Sequence, residues 1–440
     1  MAAPRPMESH WKRTYWVVWT ANLITSIGMM SFLPFFPSLL EEMGVEGEAS
    51  ISRWAGVCFA AAPLSATVSA PLWGAIGDRF GRKVMVCRAM LAIAVFVGGM
   101  GLVQTPGQLL AMRFGQGLFS GFIPPSITLV SVVAPEDRQG RVAGNLSTAL
   151  AVGGLLGPLL GGFLVALLGS YQSVFFVVGS MAFVGAVIVW FGAVEDTSKR
   201  EVRGGADGKG RTGAAAVLRT TASDIGDVLR LRALRSAVLV VFALQFGLGA
   251  VNPTLEIYVE ELFAGRALDG TYWETLTSAA GTEGLGLHER AVALATSLSF
   301  AVMAVANLLS LSMWGRYGDS IGHRRALIHC AVLSVLAILV QAAAPVFALL
   351  LLGRFAMGIG MAGVGPLAFG LAAGEATVGR RGGAFGVVFS ARTLAAATGG
   401  MIGGALYPLL GARGVMMMCA VLLVATLGTF RFARRAPEAS

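Results

Sequence analysis

The chain has 440 residues, of which 55% are apolar and only 13% charged, with a formal net charge of +9. So little charge spread through so much apolar sequence excludes an ordinary soluble globular protein. The basic excess is not read as a nucleic-acid footprint, because it follows the pattern of a membrane-embedded chain with a basic rim on anionic lipid.

A spanning helix needs about 20 mainly apolar residues, and helices are expected because a spanning segment must satisfy its own backbone polar groups. Twelve such stretches are read, at 14–38, 53–75, 84–104, 107–132, 141–167, 172–194, 236–261, 290–314, 326–344, 346–373, 384–410 and 413–431. The first is too long for a cleavable signal peptide and lacks a small-residue cleavage site, so it is expected to remain as a span. Trp11, Tyr15, Trp16 and Trp19 suit an interfacial belt at its start. All but seven of the 33 Lys and Arg fall on one side; Arg53, Arg266, Arg290 and Arg413 lie opposite, and Arg113, Arg354 and Arg392 lie inside spans. This asymmetry predicts that both termini are cytoplasmic.

The expected organisation is an N-terminal six-helix bundle over 1–194, a cytoplasmic linker over 195–235, and a C-terminal six-helix bundle over 236–440 with an extended outer loop at 262–289. The linker is polar, basic and glycine-rich. Its second part, Ala214 to Arg235, reads either as a short amphipathic helix on the membrane surface or as a partly ordered tether.

The two halves repeat. Gly74-Ala75-Ile76-Gly77-Asp78-Arg79-Phe80-Gly81-Arg82-Lys83 returns, degraded, as Gly315 to Arg324, with Asp319 in place of Asp78, Ser320 in place of Arg79 and His323 in place of Arg82. Arg113 matches Arg354, and Gly157 and Gly161 match Gly399 and Gly403. Near the start of each half, Pro34, Glu41 and Glu42 pair with Pro253, Glu260 and Glu261 at a shorter offset, so about 22 extra residues must lie in the outer loop. Broken helices at matching places of two repeats point to a binding site or gate.

Several residues carry chemistry within this frame. Gly81 supplies a turn conformation open to glycine, and Asp78 is suited to accept backbone donors at a helix N-terminus. Arg113, several residues inside a span, is retained only where it faces protein or water; it either takes part in coupling or bonds helix carbonyls. Gly153, Gly157 and Gly161 share one helix face and allow close packing, while Pro158 removes a backbone donor between them. Glu256 is an acid within the seventh span, and reads either as a proton carrier or as a solvated residue of the outer rim. Asn22, Ser26, Phe36, Gln245 and Arg392 are candidate cavity residues. Arg392 either meets anionic cargo or pairs with Glu375.

The 74–83 loop resembles the signature loop of the major facilitator superfamily of transporters, and Arg113-Phe114-Gly115-Gln116-Gly117 resembles that superfamily's Arg-x-x-Gln-Gly motif. Gly153-x-x-x-Gly157-Pro158-x-x-Gly161-Gly162 resembles the motif of exporters in its twelve-span drug:proton antiporter branch. The resemblance covers nearly all of the chain. It implies an all-α membrane fold of two parallel six-helix repeats. It also implies a conformational latch at Gly74, Asp78, Arg79, Gly81 and Arg82, weaker at Asp319, and proton coupling through Arg113 and Gln116. Glu256 is the acid expected to complete the proton-linked set, and the sequence leaves open whether it meets Arg113 directly or through cavity water. The implied activity is multidrug-type, proton-coupled efflux of small amphiphilic compounds. The alternative is a dedicated exporter or importer of one metabolite, such as a sugar or siderophore-like molecule. An enzyme is not expected, because no catalytic set clusters in the sequence, and a sensor lacks a signalling domain. Cofactors and metals are not expected either: the four Cys and four His have no ligand spacing, and no phosphate-binding loop is present. The expected partners are cargo, protons and the bilayer of the cell membrane, with the chain acting as a monomer.

Overall fold

The computed structural model describes residues 6–135, 139–195, 232–263, 286–375 and 381–432. The linker and the outer loop read from the sequence lie largely outside the described residues. All described elements are helical. In the first half they are α1 (Pro6–Ser31), α2 (Phe36–Glu42), α3 (Glu48–Phe80), α4 (Arg82–Met100), α5 (Pro106–Phe119), α6 (Ile123–Val133), α7 (Gln139–Leu168) and α8 (Tyr171–Gly192). In the second they are α9 (Arg232–Val251), α10 (Leu255–Phe263), α11 (Leu287–Ile321), α12 (His323–Ala342), α13 (Phe347–Ala362), α14 (Val364–Glu375) and α15 (Arg381–Phe432).

Nine described stretches are long and apolar enough to cross a membrane. The last of them makes two passes, because α15 breaks at Gly411, where φ is 64°. Its first arm packs Gly399 against Phe246, and its second arm brings Cys419 back to the level of Gly247. With α3 and the broken pair α5–α6, this makes the twelve passes expected. Large apolar side chains such as Val95, Phe183, Trp190 and Val421 are more than half exposed, which suits a lipid-facing surface.

Both expected helix breaks are present. A 3-10 turn over Leu33–Phe35 separates α1 from α2, and one over Asn252–Thr254 separates α9 from α10. Pro34, Pro37 and Pro253 each lack the N–H that a continuous helix would use. A second matched pair of breaks falls at 120–122 and at Gly363, splitting the fourth and tenth passes; Pro125 and Pro366, 241 residues apart, each stand in the first turn after the break.

The repeat extends to individual hydrogen bonds. Gly81 and Gly322, 241 residues apart, have φ of 100° and 90° and each precedes the next helix. Trp73 Nε1 donates to the Leu118 carbonyl and Trp314 Nε1 donates to the Ile359 carbonyl, both at 2.7 Å and at the same offset. Each half has its own apolar core, one running from Val18 to Ala193 and the other from Ala237 to Leu423. Ile51 joins the core of the second half and Ala293 that of the first, which marks where the halves touch.

Candidate functional site

The described contacts between halves gather at one end, that of Gly44 and Gly169, away from Gly81. On α7, Gly153 faces Ser26, Gly157 faces Met30 and Gly161 faces the Ser31 carbonyl, all on α1. Gly162, turned about 100° from Gly161, faces Ser297 and Ala293 of α11 in the other half. The exporter-like motif therefore serves two interfaces, with Pro158 inside the same helix. The second half repeats the arrangement: Gly399 and Gly403 face α9, while Gly400 and Gly404 face Phe59, Gly56 and Ser52 of α3. A Cβ at Gly404 would fall 3.0 Å from Gly56 Cα and against the Ser52 carbonyl. Lower on α7, toward the Gly81 end, a Cβ at Gly154 would meet nothing within 4 Å, and the same holds at Gly315 on α11. The halves are thus sealed at one end and parted at the other.

Glu256 sits in the seal. It is 2% exposed, so the solvated-rim alternative does not hold in this conformation. It lies in the first turn of α10, and its Oε2 accepts the Ser38 N–H of α2 at 3.2 Å, across the two halves. Ser38 is in the first turn of α2, whose N-cap residue Phe35 makes no side-chain cap. The carboxylate of one half therefore caps a helix N-terminus of the other, where the macrodipole favours negative charge. Among the described residues, Oε1 has no partner.

Arg113 and Glu256 are not in contact. Arg113 Nε donates to the Cys58 carbonyl at 3.0 Å, Nη1 to Gln116 Oε1 at 2.5 Å and Nη2 to the Phe59 carbonyl at 3.4 Å. Of the two readings left open for Arg113, carbonyl bonding is what this conformation displays. Arg354 repeats it at the same offset, with Nε on the Ser299 carbonyl at 3.4 Å and the guanidinium 4.9 Å from the Phe300 ring; its Nη1 also reaches Asn252 Oδ1 in the α9–α10 break. Arg113 likewise lies 5.1 Å from the ring of Phe36 at the start of α2. One short helix, α2, thus carries both the Arg113 contact and the Glu256 cap.

Three expected cavity residues are elsewhere. Asn22, Ser26 and Phe36 are 1%, 2% and 0% exposed. Asn22 Oδ1 accepts from Ser126 on α6, Ser26 packs at Gly153, and Phe36 stacks edgewise on Phe32. They belong to the packing of the first bundle, where a polar or aromatic side chain on one helix meets a neighbour instead of the pathway. Gln245 and Arg392 are brought together: with its amide oxygen toward the guanidinium, Gln245 accepts from Arg392 Nε and Nη2 at 2.9 and 3.0 Å.

In the expected latch, the side chains of Gly74, Asp78 and Arg79 lie outside the described residues. The donors at the start of α4 are taken by Glu195, whose Oε1 accepts the Arg82 N–H at 2.7 Å and whose Oε2 accepts the Lys83 N–H at 3.2 Å. Glu195 is thus the cap at that turn. In the second copy Asp319 is exposed and lies 3.7 Å from His323 Nε2.

Two pseudo-symmetric bundles of broken helices, sealed at one end of a central cleft, are the architecture of a secondary transporter. The chain belongs to the Major Facilitator Superfamily, whose family profile matches residues 18–282 and 262–440. It is 29% identical over 422 residues to the multidrug resistance protein MdtG of Yersinia enterocolitica, covering 95% of this chain and 92% of that one. It is 30% identical over 332 residues to MdtG of Dickeya zeae, covering 76% and 72%. In fold it is similar to the nucleoside transporter NupG, with a TM-score of 0.74 at 11% identity over 96% of this chain and 100% of that one. It is also similar to the human organic anion transporter MFSD10, with a TM-score of 0.66 at 20% identity over 97% and 100%. The chain is an integral membrane protein.

Proposed function

We propose that the chain exports small amphiphilic compounds in exchange for protons, by alternating access between the bundles 1–194 and 236–440. The observation that carries this reading is the buried Glu256 carboxylate bridging the halves to α2. The MdtG relatives, named for multidrug resistance, support varied cargo and the outward direction.

The chemistry follows from burial. Taking an isolated carboxylate out of water costs several kcal/mol, whereas a helix N-terminus returns about 0.3–2 kcal/mol. Desolvation is the larger effect, so a neutral Glu256 seals the Gly44 end more readily than a charged one. A proton taken up from that side drives closure there and opens the cleft at the Gly81 end. Loss of the proton into the cleft leaves a carboxylate held only by α2, ready to separate once cargo binds. Arg113, fixed to α3 by two carbonyls and to α2 through Phe36, keeps α2 in register with the first bundle; Gln116 orients its guanidinium.

In the cell membrane the Gly81 end faces the cytoplasm, with both termini and the 195–235 linker, and the 262–289 loop is outside; the basic asymmetry supports this orientation. Cysteine placed at Gly205 is expected to resist an impermeant thiol reagent in intact cells, and cysteine at Thr275 to react. Labelling at 205 but not at 275 reverses the map.

Gly74, Asp78, Arg79, Gly81 and Arg82 form the cytoplasmic latch in this reading, with Asp319 the weaker copy. Asp78→Asn is expected to reduce efflux severalfold at matched expression, and Asp319→Asn less, because a charge contact of about 1 kcal/mol is lost from one conformer only. Wild-type efflux in Asp78→Asn removes the loop from the mechanism.

A further inference from the structure

Arg392 is a cation inside a span that the proton cycle does not use. It stands on the first arm of α15, half-buried, between α9 and α14. A charged side chain at that depth costs about 3 kcal/mol or more, and is kept where it faces water, a partner or a ligand. Its partner here is a neutral amide: Gln245 takes the Nε and Nη2 edge. Among the described residues no carboxylate bonds it; the side chain of Glu375, the partner considered from the sequence, lies outside them. A glutamate at 245 would have neutralised the guanidinium at no change of shape, so the positive charge is left standing. The Nη1 end lies against α14 at Gly365, where the absence of a side chain leaves it room: a Cβ there would stand 3.3 Å from Nη1.

Height matters as much as charge. Arg392 lies eight residues below Gly400, the seam contact on the same helix, or about 12 Å along the axis. Gly154 stands the same number of residues below Gly162 on α7, and there the space beside the helix is open. Measured from Gly404, the repeat counterpart of Gly162, Arg392 is twelve residues or about 18 Å down, below the level at which the seal opens beside Gly154.

We infer that Arg392, oriented by Gln245, is the recognition site for an anionic group, and that the preferred cargo is an amphiphile bearing a carboxylate. A planar guanidinium matches a carboxylate in geometry and charge. A cationic amphiphile of the same shape meets like charge there, and the first two-thirds of the first span offers it no acid. This inference rests on the transporter reading above.

The test uses the purified full chain in nanodiscs and a rhodamine dye in two forms, the free carboxylate and its methyl ester, with binding read by fluorescence anisotropy. Wild type is expected to bind the carboxylate form at least tenfold more tightly. Arg392→Gln is expected to remove that preference, weakening the carboxylate form and relieving the repulsion of the cationic ester. Gln245→Glu keeps the guanidinium paired and both helices in place, yet neutralises the charge, and is expected to remove the preference too. Equal binding of the two forms by wild type, a preference for the ester, or parallel loss of both forms in the two variants overturns the assignment. Binding is measured without a pH gradient, so a failure of the exporter reading alone would appear as absent uphill transport with the carboxylate preference intact.

Discussion

Glu256→Gln is expected to abolish proton-driven efflux while leaving downhill exchange of cargo. In vesicles with an imposed pH gradient, uphill transport should fall at least tenfold. The amide keeps an oxygen for the Ser38 N–H, so the seal at the Gly44 end survives. What it loses is the change of charge: a permanently neutral side chain buries without a proton and releases none. Cargo can still move down its own gradient, because the two bundles can still rock. Undiminished pH-driven efflux in this variant removes Glu256 from the mechanism and leaves Arg113 to act with another acid or with none.

Gly404→Val is expected to be as damaging for a different reason. The seam between α3 and α15 brings backbone against backbone, with Gly404 on the Ser52 carbonyl and Gly56 Cα. A branched side chain there has no flexible neighbour to displace. Overpacking of about 1–3 kcal/mol or more, applied only to the conformer sealed at the Gly44 end, shifts the two-state population by tenfold or beyond. Efflux should fall at least tenfold at normal membrane levels, with the protein held open at that end. Wild-type transport in Gly404→Val would mean that the seam does not close during the cycle.

The sequence made the spans, the repeat and both proline breaks legible, because each rests on local chemistry: apolar length, backbone donors and glycine spacing. The glycine motif encodes a second face as well as the first. Spacing of four places Gly153, Gly157 and Gly161 on one face, and Gly162, one residue on, must leave that face; in the structure it reaches Ser297 of the other half. Trp73 and Trp314 also stand at the repeat offset, and their matched bonds were open to the same comparison.

The site was legible only in its residue types. That Glu256 meets Ser38 depends on two breaks 218 residues apart folding against one another, which no periodicity encodes. Asn22 and Ser26 show the opposite case: a polar residue within a span serves packing as readily as a pathway, Asn22 by its bond with Ser126 and Ser26 by its small size against Gly153. Arg113 looks functional in sequence because a buried cation is costly, yet it and its structural counterpart Arg354 are held alike by helix carbonyls at matching places. What separates them is the neighbour: Phe36 at the head of α2 for one, Asn252 for the other.

The central claim is that uptake of a proton by Glu256 favours closure of the Gly44 end. A distance measurement between spin labels at Ser50→Cys and His288→Cys, both exposed at that end and on opposite halves, tests it directly. Acidification is expected to raise the short-distance population in wild type, and the Glu256→Gln background is expected to hold that population at every pH. A wild-type distribution that ignores pH, or that lengthens on acidification, contradicts the account.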